Sequence, residues 1–146
     1  MQMSKDLQEA KKRMLDGGYT CVVQKDNQVY TSMERGVKPL LNWLDERTDL
    51  CGFVAADKVI GNGAAMLYVL LGVKEIYTPV ISKAAKATLD AHGISLDFDV
   101  CVDEIVNRAG TGLCPMEDAV KGIDNPKEAL RAIRKRMNEL NSYNNI

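Results

Sequence analysis

Apolar positions recur along this chain with two periods, and the period switches wherever glycine or proline punctuates it. Leu7, Ala10 and Met14 form a sparse helical face over Ser4 to Leu15, with Ser4 as its cap and Gly17-Gly18 as its stop. Thr20-Cys21-Val22-Val23-Gln24 and Gln28-Val29-Tyr30-Thr31 are β-rich and bracket Asp26-Asn27, which predicts a hairpin with a two-residue turn. Val37, Leu40, Leu41 and Leu44 then fall on one face of a helix from Gly36 to Glu46, with Pro39 near its first turn.

The second half reads as alternating strands and helices. Leu50 to Ala56 is a continuous apolar run that suits a strand covered on both faces. A glycine turn leads into a helix from Ala64 to Leu71, closed by Gly72. Glu75 to Val80 is the next strand, and Ser82 caps a helix that runs to Ala91. His92-Gly93 ends it, the histidine sitting where the helix dipole favours it. Ile94, Leu96, Phe98, Val100 and Val102 alternate, predicting a strand with one buried face. Asp103 to Arg108 fits strand or helix, and the 107–112 loop leads to a short helix from Pro115. Asn125-Pro126-Lys127-Glu128 opens a last helix to Leu140, leaving 141–146 as a frayed tail. With no repeat or linker, the expectation is one domain over 1–146. Its fold class is α/β, a three-layer α/β/α arrangement on a mixed sheet, hairpin first and strand–helix crossovers afterwards.

Composition narrows the function classes. The 146 residues are 46% apolar and 27% charged, enough chain for a buried core. A net charge of −1, one Trp and two Phe argue against nucleic acid and against an anionic membrane surface. The longest apolar run, Ala64 to Leu71, is far short of the ~20 residues a membrane span needs. Met1 to Asp6 has no apolar segment of the kind that directs export, and the four cysteines form no CxxC pair. Both features predict a reduced, cytoplasmic protein. Cys21, Cys51 and Cys101 fall in predicted strands and read as core.

Two stretches carry candidate chemistry. Asp57-Lys58 ends a strand directly before Gly61-Asn62-Gly63 and a buried helix, the place where open α/β proteins bind ligands. Lys58 there would neutralise a phosphate or carboxylate held by the helix N-terminal amides, and glycines let a ligand approach the backbone. The alternative is a solvated Asp57–Lys58 pair beside an ordinary turn. No nucleotide-triphosphate loop is present. The second stretch is Asn107-Arg108-Ala109-Gly110-Thr111-Gly112, followed by Cys114-Pro115. It sets a thiol at a helix cap, where the positive helix end favours the thiolate, with Arg108 and loop amides nearby. A small semi-buried cysteine at a tight junction is the competing reading. Thiol chemistry would draw on Asp57, Glu117 or the substrate, since neither a relay histidine nor a partner cysteine is apparent. The basic residues Arg131, Arg134, Lys135 and Arg136 read as a solvated helix face beside Leu130, Ile133, Met137 and Leu140.

Ala56 to Ala65 together with Asn107-Arg108-Ala109-Gly110-Thr111-Gly112 and Cys114-Pro115-Met116-Glu117 resemble the uncharacterised DUF1893 family, over nearly the whole chain. Thr78-Pro79-Val80-Ile81-Ser82-Lys83 and Gly61-Asn62-Gly63 are similar to the two zinc motifs of cytidine deaminases, which set metal ligands at two helix N-termini. The resemblance implies a cytidine deaminase-like fold, with the helix Gly36 to Glu46 as a departure. It also implies that Val80 and Lys83 stand where cysteine ligands would, and that glycines replace the first ligand and the general-acid Glu. Zinc needs about three protein ligands in a catalytic site, so no metal and no cofactor is expected. Deaminase-like domains often self-associate, but no residue here specifies it. Two functions follow. The favoured one is a binding module for a small anionic or nucleotide-like ligand near Lys58, Gly61, Asn62, Gly63, Asn107, Arg108, Thr111 and Gly112. The other is a metal-free enzyme with Cys114 as nucleophile and Asp57 assisting.

Overall fold

The computed structural model describes residues 3–144 except Arg108. In chain order its elements are α1 (Lys5–Gly17), β1 (Cys21–Lys25), β2 (Gln28–Ser32), α2 (Lys38–Asp45), β3 (Val54–Asp57) and β4 (Val59–Ile60). These are followed by α3 (Asn62–Leu71), β5 (Glu75–Ser82), α4 (Lys83–Ala91), β6 (Ser95–Val102), α5 (Pro115–Ala119) and α6 (Pro126–Asn144). The mixed α/β fold expected from the hydrophobic pattern is present.

The sheet is mixed. β1 runs antiparallel to both β2 and β3, whereas β3, β4 and β6 run parallel to β5. β3 and β4 lie along the same edge of β5, Ala56 beside Tyr77 and Val59 beside Val80. They are two halves of one strand, broken at Lys58. Opposite the break β5 carries Thr78-Pro79, and Pro79 has no N–H to contribute to a ladder. The break matters because it lies where the candidate site begins.

Two hydrophobic clusters occupy the two faces of this sheet. On one, α1 presents Leu7, Ala10 and Met14 to Val22, Val54, Ala56 and Tyr77. The first turn of α1 is fixed by Ser4, whose Oγ accepts from the Leu7 amide at 3.1 Å and donates to Glu75. On the other face α3 lies at the centre, flanked by α2, α4 and α6. Nearly all of α3 is buried, including Ala65, Leu67 and Tyr68. A helix surrounded by protein shows no amphipathic stripe, which is why its sequence is a continuous apolar run. Each large side chain buried there stabilises the fold by about 1.5–3 kcal/mol.

Several boundaries differ from the pattern-based expectation. The strand predicted for Leu50 to Ala56 is Val54–Asp57, because residues 51 and 52 turn. Asp49 Oδ1 accepts from the Cys51 amide at 3.0 Å, and Gly52 takes φ +79°. Cys51 is therefore exposed on a turn, not in a core strand, and Cys101 on β6 is only half-buried. β6 forms an edge of the sheet, so Val100 stands 52% exposed. Asp103 to Arg108 is neither strand nor helix among its described residues; Val106 makes a single bridge to Leu113. In the hairpin turn only Asp26 takes positive φ. α6 continues past Leu140 to Asn144, capped by Asn125 Oδ1, which accepts from the Lys127 and Glu128 amides. Residues 145–146 of the expected tail lie outside the described residues.

The packing of α6 on α3 can be tested by truncation. Ile133→Ala, at a position with no exposed surface, is expected to lower unfolding free energy by about 2–5 kcal/mol in urea titration. Leu15→Ala, at a position 56% exposed, is expected to change it by no more than about 0.5 kcal/mol.

Candidate functional site

Where β3/β4 ends and α3 begins, a cavity of about 530 Å³ opens between the sheet, α3 and the segment around α5. Asp57, Lys58, Gly61, Gly63 and Cys114 from the sequence reading all line it. So do Cys21, Arg35, Met116 and Glu117. Asn62, Asn107, Thr111 and Gly112 do not. Asn62 instead borders a separate cavity of about 160 Å³, where its Oδ1 accepts from Thr88 Oγ1 at 2.5 Å. Asn107 folds its own loop, Oδ1 accepting from the Thr111 amide at 3.0 Å and its N–H donating to Gly112 O at 2.8 Å. Arg108 lies outside the described residues.

Asp57 and Lys58 do not pair. Asp57 ends β3 with its side chain turned inward, whereas Lys58, at the break before β4, is exposed. Asp57 stands beside Cys21 across the β1–β3 ladder. Paired residues share a face, so both side chains meet Tyr68 on the overlying α3. Tyr68 Oη donates to Asp57 Oδ2 at 2.6 Å and lies 3.1 Å from Cys21 Sγ. Burial pushes the Asp57 carboxyl up to about 7, against the pull of Tyr68 and of the Val59 and Lys58 amides. Burial also raises Cys21 and Tyr68, with the Asp57 charge adding to it. The site therefore has a floor of three hydrogen-bonded titratable groups, of which only Asp57 changes charge near neutral pH.

The helix N-terminus read as an anion site already holds an anion. Glu117 Oε1 accepts from the Asn62 amide at 2.7 Å and from Ser82 Oγ at 3.0 Å. Ser82 also caps α4, accepting from the Ala85 amide at 3.2 Å. One buried carboxylate thus joins the first turn of α3 to the cap of α4, satisfying positive helix ends with a charge from α5. The place intended for a ligand phosphate is taken by the chain itself. Gly61 permits this, because a Cβ there would overlap Glu117 Oε1.

Cys114 is the residue before α5, as expected, and is half-buried on the cavity wall. Its helix has only five residues and carries Glu117 and Asp118 in the first turn. Val80 lies within β5, and Lys83 Nζ pairs with Asp103 Oδ1 at 2.6 Å, outside the cavity. Among the described residues no three His, Cys, Asp or Glu side chains stand close enough to hold a metal ion, and no helix is long and apolar enough to cross a membrane. The basic face of α6 is partly used internally. Arg134 pairs with Asp45 at 2.7 Å, and Arg136 reaches Asp118 and Pro115 O, each at 3.1 Å.

A family model described as a domain of unknown function, DUF1893 (TM1506), matches residues 9–137. The crystal structure of a DUF1893 family protein (TM1506) from Thermotoga maritima is similar at 26% identity and a TM-score of 0.83, over 92% of each chain. No curated protein matches.

Two outcomes test the site. Asp57 binds its proton more tightly folded than unfolded, so ionisation opposes folding. Unfolding free energy is expected to fall by on the order of 4 kcal/mol as pH rises from about 4 to about 7, then level off. Denaturant titrations of Asp57→Asn are expected to lack that fall and to show greater stability than wild type at pH 8. Gly61→Ala is expected to cost about 1–3 kcal/mol by overpacking against Glu117. Most of that penalty should vanish in a Glu117→Ala background, measured as a double-mutant cycle.

Proposed function

The chain belongs to the DUF1893 family, and from that premise we propose that it binds a small molecule in the cavity at the start of α3. The scaffold we propose is cytidine deaminase-like, three-layered and without a zinc site. One observation carries the binding reading: a largely apolar open cavity meets a buried carboxyl from a strand end, with two exposed cations beside it. Ligand sites in open α/β folds recur outside the carboxyl ends of strands, and pockets of this size with few convergent polar groups suit metabolites. Lys58 and Arg35, both exposed, supply the cations at the mouth, so the ligand carries an anionic group at its outer end.

Two features support the scaffold. α1 packs on one face of the sheet and α3, α4 and α6 on the other. The two helix N-termini that hold zinc in a deaminase are here joined by Glu117. The residues do not fit a metal at that position. Gly61 and Gly63 offer no side chain, Asn62 is engaged with Thr88, Val80 is apolar, and Lys83 is held by Asp103. A metal-free enzyme built on Cys114 remains the second reading, favoured by the thiol's place on the cavity wall. Among the described residues its sulfur makes no hydrogen bond to a base.

A thermal-shift screen of nucleotides, phosphorylated metabolites and small carboxylates, run on wild type and Lys58→Ala, tests the binding reading. Anionic hits are expected to lose up to about 1 kcal/mol of affinity in Lys58→Ala and to weaken in high salt. Hits that bind the variant and wild type equally would place the anion elsewhere. Alkylation of Cys114 no faster than that of a model thiol would remove the enzymatic reading.

A further inference from the structure

We infer that the cavity receives its ligand with a nitrogen group inward, a protonated amine, amidine or guanidine donating hydrogen bonds to the Asp57 carboxylate. The inference rests on the cavity being the binding site, and it adds the chemistry of the deep end. Asp57 is 7% exposed, and what remains open faces the cavity. Its hydrogen-bond partner is the Tyr68 hydroxyl, an uncharged donor, while the Lys58 amide donates to Thr20 O at 3.1 Å. Among the described residues no Lys, Arg or His forms an ion pair with Asp57 or with Glu117. Glu117 uses Oε1 for both of its hydrogen bonds, and Oε2 receives none among the described residues.

A buried carboxylate without a cation is destabilising unless something else compensates it. The cation that none of the described residues supplies is what a ligand can supply. The rigid chain Cys21–Tyr68–Asp57 holds the acceptor oxygens in place, so ligand binding spends little on ordering them. Tyr68 is a positioning residue here.

The electrostatic surroundings decide how binding responds to pH. From β1 the group facing Asp57 is Cys21, and from α3 it is Tyr68; burial keeps both neutral. The charged groups sharing the cavity are Lys58, Arg35 and Glu117. Because the Asp57 carboxyl titrates near pH 7, a cation should bind more tightly above that pH and displace a proton below it.

Three probes on one ring test this by calorimetry: benzamidine, benzoate and 4-amidinobenzoate. At pH 8, 4-amidinobenzoate is expected to bind more tightly than benzoate. Asp57→Asn is expected to weaken benzamidine by about tenfold or more, the worth of one charge-assisted hydrogen bond, and to leave benzoate unchanged. Wild type supplies a readout that no folding defect can imitate. Benzamidine affinity should rise from pH 6 to pH 8, and binding at pH 6 should release protons, seen by comparing buffers of different ionisation enthalpy. Undiminished benzamidine binding by Asp57→Asn, or pH-independent binding by wild type, overturns the inference. Benzoate binding that is lost in Lys58→Ala, with no benzamidine binding, overturns it while leaving the cavity as the site. If no probe binds, both the cavity reading and this inference fall.

Discussion

The bonds from Asn62 and Ser82 to the Glu117 carboxylate hold the two halves of the site in register. α3 and α4 follow neighbouring strands paired at Ile60 and Ile81, and Asn62 Oδ1 accepts from Thr88 of α4. Glu117 also relates them, because Oε1 accepts from the backbone of one and from the capping hydroxyl of the other. Charge-assisted hydrogen bonds in a partly desolvated setting are stronger than neutral ones, and both helix dipoles add to them. The same contact ties the five-residue α5 to both helices, in addition to the Arg136 bonds that hold it to α6. The cavity wall formed by Cys114 and Met116 is thereby set from the floor upward.

A constraint this tight needs room. Gly61 is extended (φ −93°) rather than left-handed, so backbone freedom is not what position 61 requires. It requires the missing Cβ, whose place the carboxylate occupies. Gly63 answers a similar demand more loosely, with Ile133 and Met116 at ordinary to tight contact around its absent Cβ. Reading Gly61-Asn62-Gly63 as a cradle for a ligand's anion was sound in its chemistry, since close approach of an oxygen anion is what happens there. The anion belongs to residue 117.

How much of this was legible follows from what each step needed. The hairpin, the capped helix after Ser82 and the buried helix after Gly61 rest on local chemistry, so they could be read. The boundary of β3 rests on Asp49 and Gly52, local signals that an apolar run obscured. The solvated Asp57–Lys58 pair that stood as the alternative does not form, because Asp57 ends β3 turned inward while Lys58 stands exposed at the strand break. Tyr68 and Cys21 were out of reach. Their meeting with Asp57 depends on the β1–β3 register and on the crossover angle of α3, and both are tertiary facts. Glu117 showed itself as an acid in a helix's first turn, but nothing local reveals that it spans 55 residues to reach Asn62. Asn107, Thr111 and Gly112 were given to a ligand when their polar groups close the loop on itself.

On the proposed binding reading, the resulting distribution of charge limits what can bind and in which direction. At the deep end stand two carboxyls, Asp57 and Glu117, both largely removed from water. A phosphate set within about 4 Å of either, once ionised, meets a repulsion of about 4 kcal/mol at an effective dielectric constant near 20. At the mouth stand Lys58 and Arg35, exposed, where each contact to an anion contributes no more than about 1 kcal/mol and is screened by salt. A purely anionic ligand would therefore gain little from the mouth and be kept from the floor. A ligand with donors at one end and an acid at the other satisfies both ends in one orientation only. For the proposed ligand, selectivity would lie with the buried carboxyl, because an unpaired charge is expensive in apolar surroundings and nearly free at the surface.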